Sequence, residues 1–328
     1  MPRFPLILPF LVVPLLHAQQ ATEATWVQDF AKAKAQAKAE KKHLLVDFTG
    51  SDWCHWCQKL DEEVLSKDVF KNEVPKSFVL VKLDFPQNEE LVTKEIREQN
   101  DKLQQEYEIQ GFPTILLMDC EGRPYAQTGY DDGGPEKYVG MLADMKKKGD
   151  AFENAMHRAA ETKDAERAKA LAEALDALEA EIVDGYHLAT IEEIVKLDGD
   201  GKAGLRVKYE AKAKELAEKK ALNAEMQAMQ KLLGPLMQSG EGDKAIAALD
   251  DLIKAPKSVA QHQVALFFKG MVVMDTSGDA AAALALLEAS KVLNPKSPLV
   301  KQIDMVVPRI KQHAAQKGEE KGEEKGGN

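Results

Sequence analysis

The segment Trp53-Cys54-His55-Trp56-Cys57 directly follows the apolar run Leu44-Leu45-Val46-Asp47-Phe48 and constrains this chain more than any other feature. Two cysteines separated by two residues can close a disulfide within one turn of backbone. If the pair opens a helix just after a strand, the helix N-terminus stabilises the thiolate of the first cysteine. An accessible thiolate with a resolving partner beside it is the minimum kit for thiol–disulfide exchange. The local pattern fits: an apolar strand, a short loop with Gly50 and Ser51, then a helical run from Cys54 to about Leu65. The cysteines therefore read as a redox pair.

The chain has 328 residues, a length that suggests about two domains. Its net charge of −10 argues against a nucleic-acid partner. The first residues read as an export signal: Arg3, an apolar stretch from Phe4 to Leu16, and a small residue, Ala18, before the expected cleavage. That stretch is shorter than the ~20 residues needed to span a bilayer, and Pro5, Pro9 and Pro14 disfavour a stable anchor helix. The expected localisation is periplasmic or extracellular. An oxidising compartment lets the pair exist as a disulfide, and a reducing role there needs electrons supplied from elsewhere.

After residues 1–18, the periodicity predicts a first domain over 19–149. It reads as a helix over Trp26–Lys42 with Thr25 as N-cap, strand His43–Phe48, helix Cys54–Leu65, strand Phe78–Phe85, helix Leu91–Tyr107 and strand Ile115–Met118. A return strand Tyr125–Gly129 and a helix from Gly133 to about Lys148 follow. Strands separated by helices predict parallel pairing, with an antiparallel closing hairpin. Beyond Asp150 only helical patterns remain, over 150–235 and 236–312. The charged Gly-Glu-Glu-Lys tail, 313–328, reads as disordered. A weak repeat, Gly242-Asp243-Lys244-Ala245-Ile246 and Gly278-Asp279-Ala280-Ala281-Ala282, opens two Ala/Leu-rich helices. The stretch Gly278–Pro295 looks like the second helix of a tetratricopeptide unit, and an ordinary helical bundle fits equally.

Residues 26–148 resemble the thioredoxin superfamily. They are most similar to its exported members whose active site opens Phe-Thr-Gly-Ser-Asp-Trp-Cys-x-x-Cys, here Phe48–Cys57. Gly111-Phe112-Pro113-Thr114 resembles the family's cis-proline loop. The resemblance implies an α/β domain with a central mixed sheet flanked by helices, followed by an all-α region. It implies that Cys54 attacks, that Cys57 is the buried resolving thiol, and that Pro113 is cis, leaving the backbone of Phe112 to pair with an extended substrate. Asp47 resembles the buried carboxylate that moves the proton of the second cysteine, and Lys82 its partner. The loop between Asp47 and Cys54 is one residue longer than in ordinary thioredoxins. His55 replaces a common glycine and can act on the Cys54 sulfur or face solvent. Trp53 and Trp56 are expected to cover the site.

No cofactor beyond the Cys54–Cys57 disulfide is expected. Zinc needs more ligands than Cys54, Cys57 and His55 supply, with Cys120 and His43 the nearest additions. Covalent haem attachment fails because Gln58 stands where a histidine is required. Asp198-Gly199-Asp200-Gly201 lacks the ligands of a calcium loop at Lys202 and Tyr209 and reads as a turn. Cys120 reads as a small residue of a turn. The expected function is exported thiol–disulfide oxidoreduction on protein thiols or disulfides, with an unidentified electron donor or acceptor. The alternative is an interaction protein whose helical region binds a protein partner, with the pair a redox switch or vestigial.

Overall fold

A computed structural model describes the backbone of residues 25–326 and the side chains to residue 315. The expected signal, 1–18, lies outside the described residues. The chain divides into two compact units, one of residues up to 162 with 170–187, the other of 163–169 with 188 onward.

The first unit is built on four strands: β1 (His43–Thr49), β2 (Phe78–Asp84), β3 (Thr114–Met118) and β4 (Pro124–Thr128), in the order β2-β1-β3-β4. Side-chain alternation along β1 sorts the core into two layers. Leu44, Val46 and Phe48 face α1 (Phe30–Glu40) and α4 (Lys94–Glu106), meeting Phe30, Ala33, Ala37 and Leu103. Leu45 faces the other layer, with Leu60 of α2 (His55–Leu60), Val64 of the π-helical turn Asp61–Leu65, Phe70 of α3 (Asp68–Glu73), and Leu142 and Phe152 of α5 (Gly134–Glu161). Both faces of β1 are covered, which explains its near-continuous apolar run.

Three details depart from the sequence expectations. First, α1 begins at Phe30, not Trp26: Asp29 caps it by accepting from the Lys32 N–H at 3.0 Å. Val27 instead bridges to Val81 and covers part of the outer edge of β2. Second, β1 and β2 are parallel as expected, but β3 runs antiparallel to β1, with Phe48 opposite Thr114. The chain thus enters β3 at the end where β1 and β2 leave. This topology sets the Phe112–Pro113 loop beside the cysteine loop. Third, α5 continues past Lys148 to Glu161 because Phe152, Ala155 and Ala159 keep its buried stripe going. The chain returns through the end of α6 (Asp164–Asp176) to α7 (Ala180–Tyr186). His187 and Tyr186 then meet the outer strand, with His187 Nε2 2.6 Å from the Pro124 carbonyl and Tyr186 Oη 2.6 Å from Gln127 Oε1.

The second unit is helical: α8 (Leu188–Leu197), α9 (Arg206–Gln238), α10 (Gly242–Lys254), α11 (Val259–Ser277), α12 (Ala280–Leu293) and α13 (Leu299–Gly326). In the Asp198–Gly201 turn both Asp198 carboxylate oxygens accept backbone N–H groups, from Ala203 at 2.6 Å, Leu205 at 2.7 Å and Arg206 at 2.8 Å. Helices α11 and α12 pack closely because Gly270 leaves room for the Ala283 carbonyl and Leu287. Gln263 at the other end donates to the Ser290 and Asn294 carbonyls. The backbone of α13 is helical to Gly326, past residue 313 where disorder is expected; no proline follows Pro308 to stop it. None of the described helices is long and apolar enough to cross a membrane.

Candidate active site

Cys54 is the N-cap of α2. Its Sγ accepts the Cys57 backbone N–H at 3.2 Å, so the first cysteine occupies the position where a helix stabilises negative charge. Cys54 and Cys57 are joined as a disulfide. Both are buried, at 6% and 3% exposure, and Cys57 Sγ also receives the Gly50 N–H at 3.5 Å.

The loop before Cys54 is fastened to the exit of β2. Asp84 accepts from Ser51 twice, from the backbone N–H at 3.0 Å and from the hydroxyl at 2.6 Å. Asn100 of α4, fully buried, donates to the Asp84 carbonyl at 2.9 Å. Asp52 accepts the N–H groups of Gln87 at 2.9 Å and Asn88 at 2.8 Å. These two donors hold the Asp52 carboxyl below its ordinary range. Trp53 Nε1 donates to the Phe85 carbonyl at 2.8 Å, and its ring meets Phe112 edge-on with centroids 5.8 Å apart. The indole lies flat against Gly50, where a Cβ would come within 2.5 Å of the ring. Phe112 also packs on Phe85, and the Phe112–Pro113 peptide bond is cis, so the proline loop stands beside the Trp53 side of the site.

The other side is built differently. Asp47 lies on the sheet face that Leu45 turns toward α2 and α5, opposite Lys82 in the β1–β2 register. It is buried, and its Oδ1 has no hydrogen-bond partner. Burial pushes its carboxyl up to about 7, against the pull of Lys82. The extra loop residue therefore does not turn Asp47 out to solvent. Trp56, on α2, is 52% exposed. His55 meets Trp56 edge-on, with centroids 5.3 Å apart, so its ring partner is an indole. Tyr130, just past β4, stacks at a tilt on Trp56 at 5.3 Å. Lys59 Nζ sits 5.4 Å from the Trp56 ring and 4.8 Å from the Tyr130 ring.

The structure thus gathers Cys54, Cys57, Trp53, Phe112 and Pro113 at one end of the sheet, with Asp47 and Lys82 on neighbouring strands. Sequence reasoning missed Ser51, Asp52, Asp84 and Tyr130. Ser51 and Asp52 carry a signal, since short polar residues before a helix bind backbone groups. Tyr130 has none, because Trp56, Lys59 and Glu63, which bring it to the site, lie far away along the chain. Among the described residues no three His, Cys, Asp or Glu side chains form a group that could hold a metal. Cys120, expected in a turn, follows Asp119, which shapes the β3–β4 turn by accepting the N–H groups of Glu121 and Arg123. Burial first, and then the acids around it, push the Cys120 thiol up.

A family model described as Thioredoxin-like matches residues 25–120. The disulfide bond reductase DsbH of Chlamydia pneumoniae is 34% identical over 122 residues, covering 37% of this chain and 72% of that protein. The thioredoxin-related protein DsbJ of the same organism is 31% identical over 122 residues, covering 36% of this chain and 35% of that protein. A solved structure of a DsbH oxidoreductase aligns at 33% identity with a TM-score of 0.37, covering 38% of this chain and 85% of that one.

Proposed function

Since this chain belongs to the thioredoxin-like family, we propose that it is an exported thiol–disulfide oxidoreductase that reduces disulfides in proteins through Cys54 and Cys57. The observation that carries this reading is the Cys54 sulfur at the cap of α2, receiving the Cys57 N–H at 3.2 Å. The same N–H would stabilise a thiolate once the disulfide is reduced. The name of DsbH favours the reducing direction. Export rests on the apolar leader ahead of Ala18.

In the reduced protein the Cys54 thiolate attacks one sulfur of a substrate disulfide. The substrate S–S bond breaks, a mixed disulfide forms, and the released substrate thiolate takes a proton. Cys57 then gives its proton to Asp47 and attacks the Cys54 sulfur. The second substrate thiolate leaves, and the Cys54–Cys57 disulfide remains. Two electrons have passed to the substrate, and a dithiol donor must return them. Asp47 suits the role of proton acceptor because burial holds its carboxyl near neutrality. Lys82, across the register, favours the charged form of Asp47. Pro113 and Phe112 are assigned to the substrate backbone, and Trp53, His55 and Trp56 to the contact surface around it.

The test is the reduction potential of the pair, read from tryptophan fluorescence in thiol buffers. A value near about −270 mV is expected for a reductant. A value of about −120 to −180 mV would reverse the direction to oxidation or isomerisation. The absence of any reversible transition would remove the redox reading and leave the interaction protein. Cys54→Ser is expected to abolish turnover of a disulfide substrate.

A further inference from the structure

Beside the disulfide, on the Trp56 side, the protein holds one of its own ammonium groups in a cage. The walls are the rings of Trp56 and Tyr130, and the rim carries Glu63 and Asp132. Lys59 Nζ lies 3.8 Å from Glu63 Oε1 and 4.0 Å from Asp132 Oδ1, as well as over both rings. These are the features that recognise an alkylammonium or guanidinium: carboxylates for charge and aromatic faces for the weakly hydrated cation.

The cage is under-neutralised. Two carboxylates face one ammonium. The Tyr130 hydroxyl lies 2.6 Å from Glu63 Oε2 and 2.7 Å from Asp132 Oδ1. A phenol has one proton and can donate to only one of them. The other carboxylate oxygen is left facing an oxygen lone pair, a repulsive contact that a second positive group would relieve. Lys137 pairs with the neighbouring Asp131 at 2.8 Å and donates to the Asp132 backbone carbonyl at 2.6 Å, so its charge is engaged beside the cage and not with the Glu63 and Asp132 carboxylates. The cage is open to water: Asp132 is 87% exposed and Glu63 43%. One of its walls, Trp56, belongs to the first turn of α2, the turn that carries both cysteines.

We propose that Trp56, Tyr130, Glu63 and Asp132 form a subsite for a lysine or arginine side chain close to the substrate cysteine, with Lys59 as its resident competitor. This rests on the redox reading above and adds the charge class of the substrate to it. A basic residue entering the cage shares or displaces Lys59, gains both aromatic faces and supplies the missing positive charge. Steering by the acidic chain as a whole, net −10, acts in the same sense.

The experiment compares reduction of two peptide disulfides, identical except that the residues flanking the cysteine are lysine in one and glutamate in the other. A neutral small disulfide, hydroxyethyl disulfide, serves as the reference. The ratio of kcat/KM for the basic over the acidic peptide is expected to be about five, the size of effect that an exposed charge pair with a cation–π contact supports. It should shrink with added salt. Glu63→Gln and Asp132→Asn should bring the ratio down toward one, and Lys59→Gln should raise it about two-fold. Because the readout is a ratio within each variant, a partial loss of folded protein leaves it intact. A ratio near one in the unmodified protein, or a ratio indifferent to all three substitutions, would overturn the subsite while leaving the enzyme. Failure to reduce any of the three disulfides would overturn the redox reading and the subsite with it.

Discussion

The two sides of the disulfide differ in how completely their polar groups are paired. On the Trp53 side each group has a partner: Asp84 holds Ser51, Asp52 holds two backbone N–H groups, and the indole N–H meets the Phe85 carbonyl. On the Trp56 side Asp47 keeps an oxygen with no partner, and Tyr130 faces two carboxylates with one proton. A satisfied network fixes geometry, whereas an unsatisfied buried or crowded group keeps free energy available for a proton or a ligand. The first side therefore reads as the scaffold that holds the cysteine loop. The second reads as the place where a proton and a substrate side chain are taken up, beside the substrate backbone that the proposed function seats on the Phe112–Pro113 loop.

The sharpest way to break this contrast is through Asp47. An unfolded aspartate loses its proton near 3.8, whereas Asp47 in the fold holds it to about 7. Between those values the folded state binds more protons, so stability falls as pH rises through about 4 to 7 and levels off above. The shift corresponds to a loss of about 4 kcal/mol relative to Asp47→Asn, which has no such slope. Denaturant unfolding followed by tryptophan fluorescence measures it, and because Trp26, Trp53 and Trp56 all lie in the first unit the signal is specific to that unit. Parallel pH profiles for the two proteins would mean that Asp47 is solvated and the second side is no less satisfied than the first.

The next effect belongs to the scaffold side. Gly50→Ala places a methyl group 2.5 Å from the Trp53 ring, so the indole must leave its hydrogen bond to Phe85. The expected cost is about 2 kcal/mol, typical of overpacking. The same unfolding assay checks it. An unchanged midpoint would show that the indole is not pinned.

These two positions also show what the sequence could and could not convey. The strand–Cys-x-x-Cys–helix order and the proline loop were legible because each is a local pattern of a few residues. So was the burial of β1, from an apolar run covered on both faces. The antiparallel sense of β3 was not, since nothing in Ile115–Met118 records which end of the sheet it enters. The start of α1 was misplaced because Trp26 and Val27 carry helical spacing but belong to tertiary contacts, Trp26 stacking on Phe70 and Val27 bridging Val81. The clamp and the cage were invisible for the same reason. Ser51 meets Asp84 across 33 positions, and Tyr130 meets Glu63 across 67. Glycine at 50 was readable as a loop residue, but its contact with an indole three residues on was not.

A smaller expected effect is Ser51→Ala, which removes the hydroxyl donor to Asp84 and keeps the backbone donor. About 1 kcal/mol should be lost, and Asp84→Asn should cancel much of the difference in a double-mutant cycle. An additive result would show that the clamp is two separate contacts.

The smallest effect on stability, and the one that most sharpens the contrast, is expected at Trp56. Half exposed and held only by ring contacts, it can be replaced by alanine at a cost within about 0.5 kcal/mol. Trp53→Ala, by contrast, strips a hydrogen bond and the packing on Phe112 and Gly50, and should cost about 2 kcal/mol or more. Activity should divide the pair the other way. Trp56→Ala should lower kcat/KM for peptide disulfides several-fold while leaving unfolding nearly unchanged, since it removes a wall of the proposed subsite and little that holds the loop. Equal stability losses for the two tryptophans would collapse the distinction between a scaffold side and an exchange side. A stable Trp56→Ala with full activity on peptides would show that the substrate takes nothing from the Trp56 side and rests on the Phe112–Pro113 loop alone.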